Sequence, residues 1–324
     1  MALTLRIGPG WEDQVRSVWE QHPRLVPVVK GNGYGFGRIR LAKVSQLLGA
    51  DLVAVGTIHE LDDLPGLRLK AMVLTPVAAS ETGVLVETSG DTIFTVGSRR
   101  DAEVLVKSRL PRRAVVKLAS PMNRYGATAD ELPAVLEALG REPVGYSLHL
   151  PLDGDYSSIV ADTLAWLRAG TTLYVGHLGV EHETEFRLAY PDITIRQRIG
   201  TSLWLADKSN LQLTADVVAV RRIDAGEPAG YRQAAVTGAG SLVMVSAGSA
   251  HGVTPLADGR SPFHFARQRV ALHESSHMHT SMLFVPDGQP CPEPGDEVDV
   301  QAPLTRVMPD RVLPSPSSLV TTTR

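Results

Sequence analysis

Lys30 closes the apolar run "LVPVVK", and four alternating glycines follow at once in "GNGYGFG". A lysine in that place either carries its ammonium out to water along its own stem or does chemistry, because desolvation lowers its pKa and frees a neutral amine to attack a carbonyl. Other polar residues end apolar runs in the same way. Arg124 lies in "KLASPMNRYG", His149 ends "VGYSLHLP", Gly176 and His177 end "TTLYVGH", and Arg198 and Gly200, followed by Thr201, end "ITIRQRIG". Each taken alone reads as a strand-end residue reaching solvent. Their recurrence at the same end of successive runs points to one shared site.

The elements that would position them follow a simple pattern. Eight short β-branched runs begin between residues 25 and 193, and helix-like stretches such as "RIRLAKVSQLLGA", "RRDAEVLVKSRL", "TADELPAVLEALG" and "SSIVADTLAWLRAG" separate several of them. Repeated βα units predict a (β/α)8 TIM-type barrel, an α/β fold whose catalytic groups gather where the strands end. An open doubly wound sheet fits the same local pattern, and the count of eight favours the barrel. Glycines at 176 and 200, after the last two runs, allow the close backbone approach that a phosphate requires, at the usual phosphate site of such a barrel. A lysine amine facing that site suits a phosphorylated carbonyl cofactor such as pyridoxal phosphate. Beyond residue 208 the helical periodicity stops, and "QLTADVVAVRRID", "SLVMVSAG" and "TSMLFVPD" alternate like strands. The expected organisation is a barrel domain over 1–207 and a β-rich C-terminal domain over 208–324, with a disordered tail, "PSPSSLVTTTR".

Composition narrows the partners. The 32 basic and 35 acidic residues give a net charge of −3 with no basic stripe, which argues against nucleic acid or a membrane surface and for a small molecule. One cysteine, Cys291, excludes an internal disulfide, and the first residues, "MALTLRIGPGWEDQ", lack a signal peptide's basic and apolar regions. The sequence therefore reads as cytoplasmic and soluble.

Five motifs carry a family resemblance, in the family's order. "VVKGNGYGFG" is similar to the pyridoxal-phosphate lysine motif of the alanine racemase family, and "KLASPMNRYG" to its lysine-to-arginine segment. "QRIGTSLW" resembles its pyridine-facing arginine and phosphate glycine, "AGYRQAA" its tyrosine turn, and "SSHMHTSMLFV" its methionine-centred strand. The resemblance implies an amino acid racemase that interconverts L- and D-amino acids. Lys30 would hold pyridoxal 5'-phosphate and shuttle a proton on one face of the substrate α-carbon, while Tyr231 acts on the other face from the partner subunit of a homodimer. It further implies that Tyr34 touches the phosphate; Gly176, His177, Gly200 and Thr201 are the other candidate cofactor-binding residues. Arg124 and Met278 would meet the substrate, His149 would pack near the ring and Arg198, and Arg198 would donate to the pyridine nitrogen. Lys117 stands where the family carries a modified lysine; an inward barrel residue is the other reading.

The departures bear on substrate. Ala119, Ser120 and Pro121 replace the family's Asp-Thr-Gly, Ser249 and Thr305 stand at tyrosine positions, and His279 at an aspartate. Smaller groups imply a roomier entrance and a substrate that is alanine or somewhat larger. Two other functions compete: a cofactor carrier or regulator without turnover, and a zinc hydrolase built on "HESSH", His273-Glu274-Ser275-Ser276-His277. Zinc would require the two histidines on a helix, since in a strand they would lie roughly 13 Å apart.

Overall fold

The computed structural model describes residues 2–64, 66, 68–81, 83, 91–108 and 113–313; the expected disordered tail lies outside them. It divides into two compact units, one comprising 14–31 and 38–206 and the other 1–13, 32–37 and 207–324.

Strand β1 (Leu3–Ile7) opens the chain, and eight parallel strands follow: β2 (Val26–Pro27), β3 (Leu52–Val55), β4 (Lys70–Pro76), β5 (Ile93–Val96), β6 (Arg113–Lys117), β7 (Gly145–His149), β8 (Thr172–Gly176) and β9 (Thr194–Ile199). β2 to β9 are the eight apolar runs. Their ladder order is β2-β9-β8-β7-β6-β5-β4-β3, and an isolated parallel bridge between Val28 and Ala54 joins its two ends. The Val29 N–H donates to the Ala54 carbonyl at 2.8 Å, and Trp204 Nε1 donates to the Val28 carbonyl at 2.8 Å, fixing the short first strand where Pro27 offers no donor. Val26, Val28, Leu52, Ala54, Met72, Ile93, Val115 and Tyr174 form a buried cluster drawn from six of the eight strands, which fills the barrel. The strands read as continuous apolar runs because both of their faces are covered. Outside them, Val160 and Leu164 of helix Ser157–Trp166 and Phe186 of helix Val180–Ala189 pack with Leu148, Val175 and Ile195.

Helix starts and stops follow local chemistry. Ser98 accepts from the Asp101 N–H at the head of helix Arg99–Lys107, and Gly140 ends helix Leu132–Leu139 in the left-handed conformation.

The other unit is antiparallel and centred on the long strand β10 (Leu211–Ile223), which pairs with Gly240–Val245, Glu297–Val300 and β1. The expected boundary at 1–207 changes at the N-terminus. β1 lies antiparallel to β10 and parallel to Arg311–Leu313, so the first thirteen residues belong with the β-rich unit, together with 32–37. Their pairing energy comes from strands roughly two hundred or more residues away, which an order-of-elements reading does not see. No helix among the described residues is long and apolar enough to cross a membrane.

Candidate active site

In the barrel unit the polar residues at the strand ends converge. Lys117 ends β6 opposite Ser147, and His149 ends β7 opposite Gly176 of β8. His149 and His177 bring their rings to 4.6 Å, and His177 Nδ1 donates to the Leu150 carbonyl at 2.9 Å. Arg198 is buried near the end of β9, where its Nη2 donates to the Leu148 carbonyl at 2.8 Å. Gly200 and Thr201 follow directly, opening the short turn Thr201–Trp204.

Arg124 sits on a loop with a tight neck. Ala127 donates to the Lys117 carbonyl, and Ala119 to the Ala127 carbonyl, both at 2.8 Å, so the chain leaves β6 and returns to the same place. Gly126 is obligatory there, with φ +131° and the Leu118 carbonyl oxygen 2.5 Å from where a Cβ would stand. At the loop tip the Arg124 guanidinium stacks over the Tyr125 ring at 4.7 Å, and the Lys117 ammonium lies 5.7 Å from the same ring.

These groups feel one another electrically. Burial, then Arg124 and Arg198, hold the Lys30 pKa below its ordinary value, with Glu60 pulling the other way. Lys117 is 5% exposed, and burial with Arg198 and Arg124 brings it down to about 7. Burial first, then Arg198, His177, Lys117 and Arg124, push His149 down to about 3, so its imidazole is neutral at physiological pH. Arg198 is lowered by burial to about 10 and stays a cation. Arg198 Nε and His149 Nδ1 are buried with no hydrogen-bond partner. The site therefore holds amines biased toward the neutral, nucleophilic form, and surplus cationic donors of the kind an anionic ligand satisfies.

Sequence reading missed Glu60. Its Oε1 accepts from the Gly31 N–H at 3.2 Å and its Oε2 from the Gly56 N–H at 2.7 Å, tying the residue after Lys30 to the end of β3. A carboxylate that works through backbone amides leaves no spacing signal.

The remaining candidates lie in the β-rich unit. Tyr34 is buried in the turn Gly33–Gly35 with φ +55°, among glycines 31, 33, 35 and 37 that all have positive φ. Asn32 Nδ2 donates to the Leu304 carbonyl at 2.7 Å and the Val307 carbonyl at 2.5 Å, which anchors that turn beside Thr305. Tyr231, 85% exposed, caps the small hairpin of Pro228–Ala229 and Ala234–Ala235. Met278 is exposed, and its carbonyl accepts from the Ala250 N–H at 2.9 Å, while the Ser249 N–H donates to the His277 carbonyl at 2.8 Å. His279 meets the His251 ring at 5.8 Å. Residues 273–275 form bends, and nothing in 273–277 is helical. His273 Nε2 donates to the Ala229 carbonyl at 3.1 Å, and His277 Nε2 to Glu274 at 2.6 Å, so each imidazole already serves a protein acceptor. Among the described residues no group of three or more His, Cys, Asp or Glu is placed to hold a metal ion.

A parallel eight-stranded barrel with a lysine after its first strand, carried in one chain with an antiparallel β unit, defines the class of protein. Residues 12–156 match the family described as alanine racemase, N-terminal domain. The chain is 28% identical over 269 residues to an alanine racemase of Photobacterium profundum, covering 67% of each protein. It is 30% identical over 125 residues to alanine racemase 2 of Oceanobacillus iheyensis, a match that spans 37% of this chain and only 32% of that protein. The crystal structure of alanine racemase from Bartonella henselae with covalently bound pyridoxal phosphate superposes with a TM-score of 0.73 at 19% identity, over 97% of this chain and 100% of that one. An alanine racemase of Clostridium difficile gives 0.73 at 15% identity, over 97% and 96%. Residues 12–156 are therefore similar to the alanine racemase N-terminal domain, and the chain shares its fold with solved alanine racemases.

Proposed function

We propose that the protein is a pyridoxal-phosphate-dependent amino acid racemase whose two bases are Lys30 and Tyr231. The observation that carries this reading is the barrel mouth itself: two lysines with lowered pKa, Arg124 and a buried Arg198 with an unpartnered Nε, beside a neutral His149. That donor set fits a phosphorylated aldehyde and an amino acid carboxylate. When bound, the cofactor withdraws electrons from the substrate α-carbon and so makes its proton removable.

The chain's own residues divide the work. Lys30 holds the cofactor and carries a proton at the α-carbon on one face; Tyr231, contributed by the partner subunit of a homodimer, carries it on the other. Two bases on opposite faces are what inversion needs, because one base would return the proton where it came from. Arg124 binds the substrate carboxylate, with Met278 lining the same substrate. Gly176, His177, Gly200, Thr201 and Tyr34 serve the phosphate. Arg198 donates to the pyridine nitrogen and, being a permanent cation, gives it no proton. His149, uncharged, packs against that guanidinium without adding repulsion. With Ser249 and Thr305 in place of ring-bearing residues and His279 in place of an acid, the entrance admits side chains larger than alanine's.

Borohydride reduction of the cofactor-loaded protein followed by peptide mass mapping tests the assignment. A pyridoxyl group on the peptide containing Lys30, with label and turnover both lost in Lys30→Ala, is the expected result. Label on Lys117 or any other lysine would overturn it.

A further inference from the structure

Glu274 and His277 remain unused by this mechanism, yet they surround the residue it needs most. One carboxylate oxygen, Glu274 Oε1, accepts both the Tyr231 backbone N–H at 3.0 Å and His277 Nε2–H at 2.6 Å, while Oε2 accepts the Arg232 N–H at 3.4 Å. The His277 ring then lies 4.3 Å from the Tyr231 ring, tilted by 47°. Two residues before Tyr231 in the same hairpin, His273 Nε2 donates to the Ala229 carbonyl at 3.1 Å. Gly230 makes room for this: its φ is +75°, and a Cβ there would stand 2.2 Å from Glu274 Oε1. Burial alone would raise the Glu274 pKa, but the hydrogen bonds from Tyr231, His277 and Arg232 outweigh it and bring the pKa down, so the acceptor is a carboxylate.

We propose that Glu274 and His277 are a positioning pair for Tyr231, the carboxylate fixing the backbone of the tyrosine turn and orienting the imidazole as a platform against the phenol ring. The inference rests on the racemase reading, in which Tyr231 is a base. A side chain that is 85% exposed on a four-residue turn has several rotamers open to it. A base must hold one geometry at the α-carbon, and small misplacements are costly. The histidine and glutamate of "HESSH" thus serve the turn 43 residues earlier.

The test has two readouts. In cofactor-free protein, Glu274→Ala should speed amide hydrogen exchange at Tyr231 and Arg232 roughly tenfold or more, as expected for loss of a charge-assisted hydrogen bond. Glu274→Gln, which keeps an acceptor oxygen, should restore most of the protection. In loaded enzyme, Glu274→Ala should lower kcat on the order of 10- to 100-fold, with KM within about twofold and cofactor loading unchanged. The double variant Glu274→Ala/His277→Ala should lose no more than the worse single one, because the two act as a unit. Unchanged exchange in Glu274→Ala, faster exchange with unchanged kcat, or losses that multiply in the double variant would each overturn the inference. The exchange experiment needs no turnover, so it decides whether Glu274 holds the tyrosine turn even if the wild-type protein racemises nothing; that failure would count against the racemase reading alone.

Discussion

Lys117 shows most clearly what the barrel mouth costs the chain. It is 5% exposed, and the charges acting on it are the cations Arg198 and Arg124. Its pKa is about 7 in the folded protein against 10.5 for an ordinary lysine. Between those values the unfolded chain binds one proton more than the folded one, so stability rises with pH, by up to about 1.4 kcal/mol per unit. Urea unfolding of the cofactor-free protein at pH 7 and pH 9 should therefore give a higher midpoint at pH 9. Lys117→Met, which removes the buried amine and keeps the volume, should be more stable than wild type at pH 7 and show a shallower rise. Parallel pH dependences in the two proteins would contradict this account of the residue.

At the scale of elements, the loop on β6 sets the path of the chain to Arg124, the residue proposed to bind the substrate carboxylate. The loop neck admits no side chain at 126. Gly126→Ala should therefore destabilise the protein by roughly 1–3 kcal/mol through backbone strain. It should also lower kcat/KM on the order of 100-fold by displacing Arg124, while far-ultraviolet circular dichroism keeps the wild-type signal. Wild-type kinetics in a folded Gly126→Ala would mean that the loop's path does not set the arginine. The strands β2 to β9 were all legible in the sequence, because parallel strands covered on both faces are written as unbroken β-branched runs. Lys30, His149 and Arg198 stood out at the ends of those runs, whereas Lys117, inside the run at 114–120, was singled out only by the resemblance. β1 was not legible as part of the β-rich unit, since nothing local in "LTLRI" names Leu211–Ile223 as its partner. Glu60, and the contact that Glu274 of "HESSH" makes with the tyrosine turn, escaped for a related reason: each carboxylate bonds backbone amides, and an amide has no side-chain identity for a motif to record.

For the whole molecule, the proposed assembly makes a separable claim. Lys30 belongs to the barrel unit and Tyr231 to the β-rich unit, and the proposed homodimer builds each active site from both chains. Lys30→Ala and Tyr231→Phe homodimers should each be nearly inactive. A verified heterodimer of the two should recover up to about half the wild-type activity, since one of its two sites then keeps both bases. No recovery would place both bases in one chain. The most direct measurement for the account as a whole is racemisation in deuterium oxide. The cofactor-loaded protein is incubated with single enantiomers of a panel of amino acids from alanine to bulkier side chains, and the products are separated by chirality and weighed. The account predicts that, for at least one amino acid, the opposite enantiomer appears carrying deuterium at the α-carbon, starting from either the L or the D form. Protein loaded at Lys30 that leaves every amino acid in the panel optically and isotopically unchanged would contradict it.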